Sequence, residues 1–262
     1  MKFFRNSRKQ FLSDNKFSKY LIYAIGEIIL VVIGILIAVQ VNDWNEQRKV
    51  ARISKTYLQK MILELETTKT RMEILSYNNA NVYSYDYPAL DEAVMNCDSL
   101  LELSYSGITE VDLPFIVSTQ YFSGLSNLNI QQDVFEQAKT NGHLNSIGSD
   151  ELISAIKTFN SRCKRETIYN QLNNASSLDA MKKIEDGLGK LLLDYQMDSL
   201  NFSIENYKWL LNKNSKEYMD MQIGIYNAGI SQYFNMEKMM EMYALSDSLI
   251  SMIKLELGYT QN

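Results

Sequence analysis

The sequence predicts an all-α protein in which one N-terminal transmembrane helix continues into an elongated antiparallel helical bundle. The chain has 262 residues but only 2 prolines and 11 glycines, so the residues that mark strand ends and tight turns are scarce. Apolar residues recur at alternating steps of three and four over long segments, which is the spacing of one face of an α-helix. A chain of this length has room for a membrane anchor and one medium-sized core.

The first predicted element is a membrane-spanning helix over residues 21–41. Glu27 is the one charged residue in this run, and a helix of that length measures about 31 Å, the thickness of the hydrocarbon core of a bilayer. The alternatives are a buried core helix and a cleaved signal peptide, but the run is too long for a signal peptide and lacks an A-x-A-like cleavage site. We therefore expect a basic segment at 1–20, a transmembrane helix at 21–41 and an exported helical domain at 42–262.

The charges that flank this helix predict its orientation. Lysine and arginine are retained on the cytoplasmic side of a membrane, and the N-terminal flank is rich in both, whereas residues 42–46 carry two acids and no base. We expect the N-terminus in the cytoplasm of a bacterial cell, the helix in the inner membrane and the domain in the periplasm. Lys19 and Tyr23 are the predicted anchors at the inner interface, and Trp44 is the predicted anchor at the outer one. The basic residues of the first flank are Lys2, Arg5, Arg8, Lys9, Lys16 and Lys19.

Glu27, Gly34 and Ala38 are candidate packing residues of the membrane helix. Glu27 lies near the inner interface, where a carboxylate that reaches water or Lys19 costs little. The alternative is that Glu27 faces a second helix and pairs with a cation there. Gly34 and Ala38 form a small-xxx-small step, which lets two membrane helices approach closely.

The stretch GEIILVVIGILIAVQVNDWNEQRK at 26–49, behind a basic segment, resembles the opening of a family of single-span membrane proteins of Bacteroidota that is defined only as a domain of unknown function. The similarity is specific at Gly26, Glu27, Gly34 and the exit sequence 42–46. A second, weaker similarity covers 135–159. The resemblance implies an inner-membrane anchor with an exported helical domain and makes Glu27 part of the anchor motif, but it brings no catalytic residues.

In the exported domain, a seven-residue recurrence of apolar residues predicts that the anchor continues as a bundle helix to about residue 79, with a two-stranded coiled coil as the alternative. Ser149, followed by two acids, is the predicted N-cap of a helix that ends near residue 173, before a turn at 174–177. The other predicted helices cover residues 88–104, 112–122, 130–140, 178–197, 202–223 and 229–257.

Residues that commonly carry catalysis or bind metals are scarce. His143 is the only histidine, which removes most Ser/His/Asp, Cys/His and multi-histidine sites. Neither a phosphate-binding loop nor a dinucleotide fingerprint occurs. Methionines cluster between residues 219 and 242, where core packing is predicted and a copper site is the alternative. We therefore predict no enzyme activity, no cofactor and no metal site.

The two cysteines, Cys97 and Cys163, leave two alternatives open. In an oxidising compartment they are permitted to form a disulfide that joins two helices. Otherwise each is buried separately as a small apolar residue.

These observations predict a non-enzymatic, single-span protein whose helical domain binds itself or other proteins. The expected partners are the lipid bilayer and either further copies of the chain or other envelope proteins, in an accessory role within an envelope assembly. A net charge of −5 argues against nucleic acid as a partner. The alternative function is a periplasmic sensor bundle that binds a small ligand.

Overall fold

The structure is a computed structural model that describes residues 15–77, 88–119, 128 and 130–259. The prediction of an all-α fold is confirmed, because the regular elements of the described residues are helices. The α-helices are α1 (Asn15–Ser76), α2 (Leu90–Ser106), α3 (Leu113–Ser118), α4 (Asp133–Thr140), α5 (Asp150–Ile184), α6 (Lys190–Met197) and α7 (Lys216–Glu256). Short 3₁₀ turns lie at Glu110–Asp112, Leu144–Ser146 and Ile204–Asn206, and a π-helical segment, Glu185–Gly189, joins α5 to α6.

The chain divides into two compact units, Met1–Lys55 and Thr56–Asn262. In the first unit, the described side chains from Ala24 to Arg52 are all exposed. This part of α1 is long and apolar enough to span a membrane. The second unit contains the buried cores.

Within the second unit, α5 and α7 are long helices that pack antiparallel. Near one end of the pair, Ser149 donates a hydrogen bond through its hydroxyl to Glu256 Oε2 at 2.9 Å. Near the other end, the backbone of Gly224 on α7 lies against Ala180 on α5. These contacts pair the start of one helix with the end of the other.

Two further helices, the end of α1 and α2, pack along α7. The end of α1 covers the C-terminal half of α7, where Lys69 contacts Asp247. The N-terminal half of α7 is covered by α2, where Cys97 lies against Gly229. The end of α1 and the whole of α2 run antiparallel to α7. Along α1, Lys69 contacts Asp247, and the later residue Ser76 contacts Met239, which comes earlier on α7. Along α2, Cys97 lies against Gly229, and the later Ser104 hydroxyl accepts from Gln222 at 3.0 Å.

Three apolar clusters form the core of the second unit. The first joins α1, α4, the start of α5 and the end of α7. The second joins α2, α3, the end of α5, α6 and the start of α7. The third lies between them and includes Met72, Leu90, Cys163, Met239 and Met242. The prediction of core methionines is confirmed for Met221, Met239 and Met242, which are fully buried, and is wrong for Met219, which is 46% exposed.

The predicted N-cap Ser149 is confirmed, since its side chain accepts a hydrogen bond from the Leu152 N–H. The predicted turn at 174–177 is wrong, because α5 continues through it to Ile184. Its polar side chains made the segment resemble a loop, but Asn174 and Ser177 are buried in the bundle.

The predicted break between helices at 224–228 is also wrong. Gly224 and Gly229 lie inside α7, and a Cβ atom at either position would lie 2.9 Å from a neighbouring heavy atom, Ala180 O or Cys97 Cβ respectively. These glycines therefore allow close helix packing and do not end a helix. The predicted helix at 202–223 begins only at Lys216, after Ser215, whose hydroxyl caps α7 by accepting from the Tyr218 N–H.

Candidate functional site

The first candidate site is the apolar surface of α1 between residues 25 and 41. The exposed fractions of its large aliphatic side chains run from 47% at Val32 to 73% at Leu30. A core helix of a soluble protein would be mostly buried, so this surface belongs in an apolar solvent or against a partner.

The predicted packing residues lie on one face of this helix. At 3.6 residues per turn, Glu27, Gly34 and Ala38 fall within about 40° of one another around the helix axis. A Cβ atom at Gly34 would meet nothing within 4 Å among the described residues. The three predicted residues therefore lie on one face of α1 that the described part of the chain does not cover at Gly34.

Trp44 marks the polar end of the apolar run. Its ring is exposed, and the Arg48 guanidinium carbon lies 3.7 Å from the ring centroid, a cation–π contact. An aromatic ring under a cation suits the boundary between hydrocarbon and water. The side chains of Lys19 and Tyr23, the anchors predicted for the other boundary, lie outside the described residues.

The second candidate site is a polar layer in the middle of the bundle. The core-facing residues of α5 are apolar near its two ends, but five polar side chains replace them between positions 160 and 177. Polar residues of α7 lie at the same level. The members of this layer are Asn160, Glu166, Asn170, Asn174 and Ser177 on α5, with Ser231, Gln232 and Asn235 on α7, all buried.

Asparagine side chains connect the helices across this layer. Asn173 Nδ2 donates to Asn235 Oδ1 at 3.1 Å, and Asn235 Nδ2 donates to Asn174 Oδ1 at 3.0 Å. On α5 itself, Asn170 Oδ1 accepts from the Leu128 backbone N–H at 2.9 Å. The layer therefore links α5 to α7 and also holds a residue of the segment that precedes α4.

Glu166 places a carboxylate in the layer with a side chain only 1% exposed. Its Oε1 accepts from Arg165 Nη2 at 2.7 Å and from Arg165 Nε at 3.0 Å. Arg162 Nε lies 3.3 Å from the same oxygen but outside hydrogen-bonding geometry. Arg162 instead donates through Nη2 to Glu241 Oε2 of α7 at 2.9 Å, so a charged pair joins the two helices next to the layer.

The charges around Glu241 support one another. Lys238 donates to Glu241 Oε1 at 2.8 Å. This hydrogen bond lowers the pKa of the Glu241 carboxyl and raises the pKa of the Lys238 ammonium from their ordinary values. Both groups are therefore charged at neutral pH, and they hold Arg162 against α7.

Four buried polar atoms of α5 have no hydrogen-bond partner among the described residues: Arg162 Nε, Glu166 Oε2, Asn170 Nδ2 and Ser177 Oγ. The Asn170 amide cannot be flipped to change this, because its Oδ1 is required by the Leu128 N–H. Buried polar groups normally have partners, so these atoms are suited to bind water or a small polar molecule.

Two grooves open beside α7. One lies between α5 and the second half of α7 and has a volume of about 640 Å³, with Ala155, Phe159 and Met252 among its apolar lining and Arg162 at its edge. The other lies between α2 and the first half of α7, has a volume of about 220 Å³ and includes Tyr226 in its lining.

The two cysteines are not joined by a disulfide, since Cys97 lies in the second cluster and Cys163 in the third. Burial raises the pKa of both thiols to about 12. Neither is therefore a nucleophile at neutral pH. His143 lies beside Tyr57, with 5.8 Å between ring centroids, and the described residues contain no group of three or more His, Cys, Asp or Glu side chains arranged to hold a metal.

Sequence reasoning missed the polar layer. The signal was available, because residues 163, 166, 170, 174 and 177 keep the three–four spacing of a core stripe while four of the five are polar. By composition alone, the run NNASS at 173–177 is typical of a turn, and the three–four spacing of its buried residues was not taken into account.

The model of a family of unknown function, DUF6090, matches residues 27–82. The match begins at Glu27 and includes Gly34, Ala38 and Trp44. It covers most of the apolar run and the part of α1 that belongs to the bundle, about a fifth of the chain. No curated protein and no solved structure matches the chain.

Proposed function

We propose that this protein is a single-span protein of the bacterial inner membrane whose helical domain, residues 42–262, lies in the periplasm and binds proteins as an accessory part of an envelope assembly. The observation that carries the proposal is the exposed apolar surface of α1 between residues 25 and 41. Exposing so much aliphatic surface to water is unfavourable by about 25 cal/mol per Å², and a bilayer removes it from water. The resemblance to single-span proteins of Bacteroidota supports the same reading.

The proposed orientation rests on the charges of the two flanks. The N-terminal flank, residues 1–20, has six basic residues, while residues 42–55 have four, namely Arg48, Lys49, Arg52 and Lys55. The first residues after the apolar run are acidic or neutral, and Arg48 is held over the Trp44 ring. The balance favours an N-terminus in the cytoplasm.

Two measurements test this topology. Membranes washed at alkaline pH release peripheral proteins, so retention of the chain in the pellet supports a spanning helix, and its appearance in the supernatant contradicts one. A membrane-impermeant maleimide added to intact spheroplasts should then label Ser248→Cys in the domain and should not label Ser7→Cys in the basic segment. The parent chain is the control, because its buried thiols with a pKa of about 12 should not react. The reverse labelling pattern would contradict the orientation.

Protein binding is supported by the open face of α1 that carries Glu27, Gly34 and Ala38. A buried acid at a helix interface requires a cation or hydrogen-bond donor from its partner. We expect Glu27→Gln to weaken co-purification of the partner in mild detergent. Glu46→Gln, an exposed acid beyond the apolar run, is the matched control.

A small-ligand sensor is the second candidate function, and the buried polar layer favours it. Glu166 Oε2 offers an acceptor to a small polar molecule, and Asn170 Nδ2, about one turn further along α5, offers a donor. A thermal-shift screen with small polar metabolites tests this function. A ligand that raises the unfolding midpoint of the native chain, but not that of Glu166→Gln, supports it, and a screen without any shift contradicts it.

A further inference from the structure

The outward face of the first half of α7 is apolar although it is exposed. Met219, Ile223, Tyr226, Ile230 and Tyr233, here called the α7 stripe, follow one another at steps of four, three, four and three. Four of them are between 42% and 56% exposed, and Ile230 is half-buried. The core residues of this half of α7 lie on other faces, at Tyr218, Met221, Ile225 and Ala228, so the α7 stripe is not part of the core that the described residues form.

Charge is missing from the same part of the helix. Residues 221–236 form sixteen consecutive positions without Asp, Glu, Lys or Arg, in a chain where such residues make up 22%. A solvated helix face normally carries charges, and the centres of protein interfaces are depleted in charge and enriched in aromatic residues and methionine. The α7 stripe has the composition of an interface centre.

Neighbouring helices widen this surface. On one side, Val94 and Leu101 of α2 form the far wall of the groove in which Tyr226, Ile230 and Tyr233 lie. On the other side, Tyr169 of α5 is exposed and lies one turn from Asn173, the residue that bonds Asn235 of α7. The apolar surface therefore extends from α2 across α7 to α5.

The area and the charge of this surface suit a second copy of the chain. With Phe234, Tyr169 and Leu172, which are also exposed, the α7 stripe presents on the order of 800 Å², which is the area that one partner contributes to a standard dimer. The chain carries a net charge of −5, so two copies repel each other over most of their surfaces. The uncharged segment 221–236 is a place where they meet without that repulsion.

We propose that two copies of this chain pair through the α7 stripe, with the groove between α2 and α7 receiving side chains of the partner. This pairing rests on the proposed protein-binding function and names the partner. Because the steps of four and three match a seven-residue repeat, α7 of one copy packs along α7 of the other.

Disulfide cross-linking in the full-length chain locates the contact. Tyr226 is the midpoint of the α7 stripe, so Tyr226→Cys lies nearest its counterpart whether the two helices run parallel or antiparallel. Met219 and Tyr233 lie about 21 Å apart along the helix, which exceeds the reach of a disulfide. Met219→Cys therefore cross-links with itself only in a parallel pair, and with Tyr233→Cys only in an antiparallel pair.

The controls separate this contact from others. The parent chain and Ser161→Cys, an exposed serine on α5, should remain uncross-linked under the same oxidation. A Tyr226→Cys chain that cross-links no more than these controls overturns the proposal. The proposal is also overturned if the native chain is monomeric and a photo-cross-linker at position 226 attaches to another protein or to lipid.

A charge in the α7 stripe tests the same contact without a cross-link. By light scattering in detergent, the polypeptide mass of the native chain should be twice the monomer mass of 30.3 kDa. Tyr226→Glu should halve this value while helicity and unfolding midpoint stay unchanged, because this side chain is more than half exposed. Leu63→Glu, an exposed leucine of α1, is the matched control and should stay dimeric.

These outcomes are independent of the anchor. A chain that stays in alkaline-washed membranes but is monomeric overturns the pairing and leaves the membrane proposal in place. A chain that is released from membranes yet cross-links at position 226 overturns the membrane proposal and supports the pairing. A dimer that survives Tyr226→Glu but is lost in Gly34→Leu places the contact on α1 and also overturns the pairing through α7.

Discussion

At the residue scale, Gly224 sets how closely α5 and α7 approach. A Cβ atom there would lie 2.9 Å from both Ala180 O and Ile184 Cγ1, and the carbonyl belongs to a helix backbone that cannot move aside. Alanine would gain about 1 kcal/mol of helix propensity, but overpacking of this kind costs about 1–3 kcal/mol.

We therefore expect Gly224→Ala to lower the free energy of unfolding by about 1 kcal/mol, measured by denaturant unfolding of the chain in detergent. Gly189→Ala is the matched control, because a Cβ atom at that position meets its nearest neighbour at an ordinary 3.8 Å. It should be neutral or stabilising. Equal losses in both variants would contradict the close approach at Gly224.

Glu64 of α1 predicts a pH dependence of stability. Its Oε2 accepts from the Val134 N–H at the start of α4 at 3.0 Å, and burial raises the pKa of the Glu64 carboxyl above its ordinary 4.5. The folded chain therefore binds this proton more tightly than the unfolded chain does. Stability from this group is present below pH 4.5 and is lost as the pH rises through the folded-state pKa.

Glu64→Gln keeps an acceptor for Val134 and removes the charge. We expect this variant to unfold at a higher temperature than the native chain at neutral pH, with the difference vanishing below pH 4.5. Thermal unfolding across this pH range measures it, and Glu73→Gln on the exposed side of α1 is the control. A variant that loses stability at neutral pH would show that the charge of Glu64 stabilises α4 more than its burial costs.

At the scale of elements, the asparagine bonds fix the position of α5 along α7. In Asn174→Leu, the Asn235 amide loses an acceptor in a buried place, which costs about 1–3 kcal/mol. In the double variant with Asn235→Leu, neither amide remains and the two leucines pack together. We expect a double-mutant cycle to give a coupling energy of about 0.5–3 kcal/mol. Additive losses would show that the two asparagines act separately.

Some element boundaries could be predicted from the sequence and others could not. Local signals predicted the two ends of α4 and the start of α5, with its cap at Ser149, to within a few residues. These features depend on residues that are close to one another in the chain. The turn at 174–177 and the break at 224–228 were wrong because polar residues and glycine are also used where helices touch. Contacts between α5, α2 and α7 decide those positions, and one sequence does not display them.

The candidate sites divide in the same way. The apolar run at 21–41 and the face with Glu27, Gly34 and Ala38 follow from spacing along one helix, so they were predicted by residue. The polar layer depends on which face of α5 meets α7, and the α7 stripe depends on which face remains outside. The three–four spacing of residues 163–177 was a signal for a core stripe, but only the tertiary arrangement shows which face is buried against α7 and which remains outside.

At the scale of the whole molecule, the two compact units predict different solubility. The apolar clusters begin at Leu58, inside the unit Thr56–Asn262, whereas the exposed aliphatic run lies in Met1–Lys55. A fragment of residues 56–262 should therefore be helical and unfold cooperatively in buffer without detergent. In a detergent phase-separation assay it should enter the aqueous phase and the full chain the detergent phase. An insoluble or unfolded fragment would show that the first unit is required for the fold.

α7 contributes to each of the three apolar clusters, through Tyr218 and Met221 in one, Met239 and Met242 in another, and Leu249 and Ile253 in the remaining one. It also follows the other helices of the described residues along the chain. A nascent polypeptide that stops before Lys216 has every cluster open, so the domain cannot mature stepwise from its amino end during translation. A stop codon introduced before Lys216 should therefore yield a proteolysed product, because a chain without α7 leaves the three clusters open.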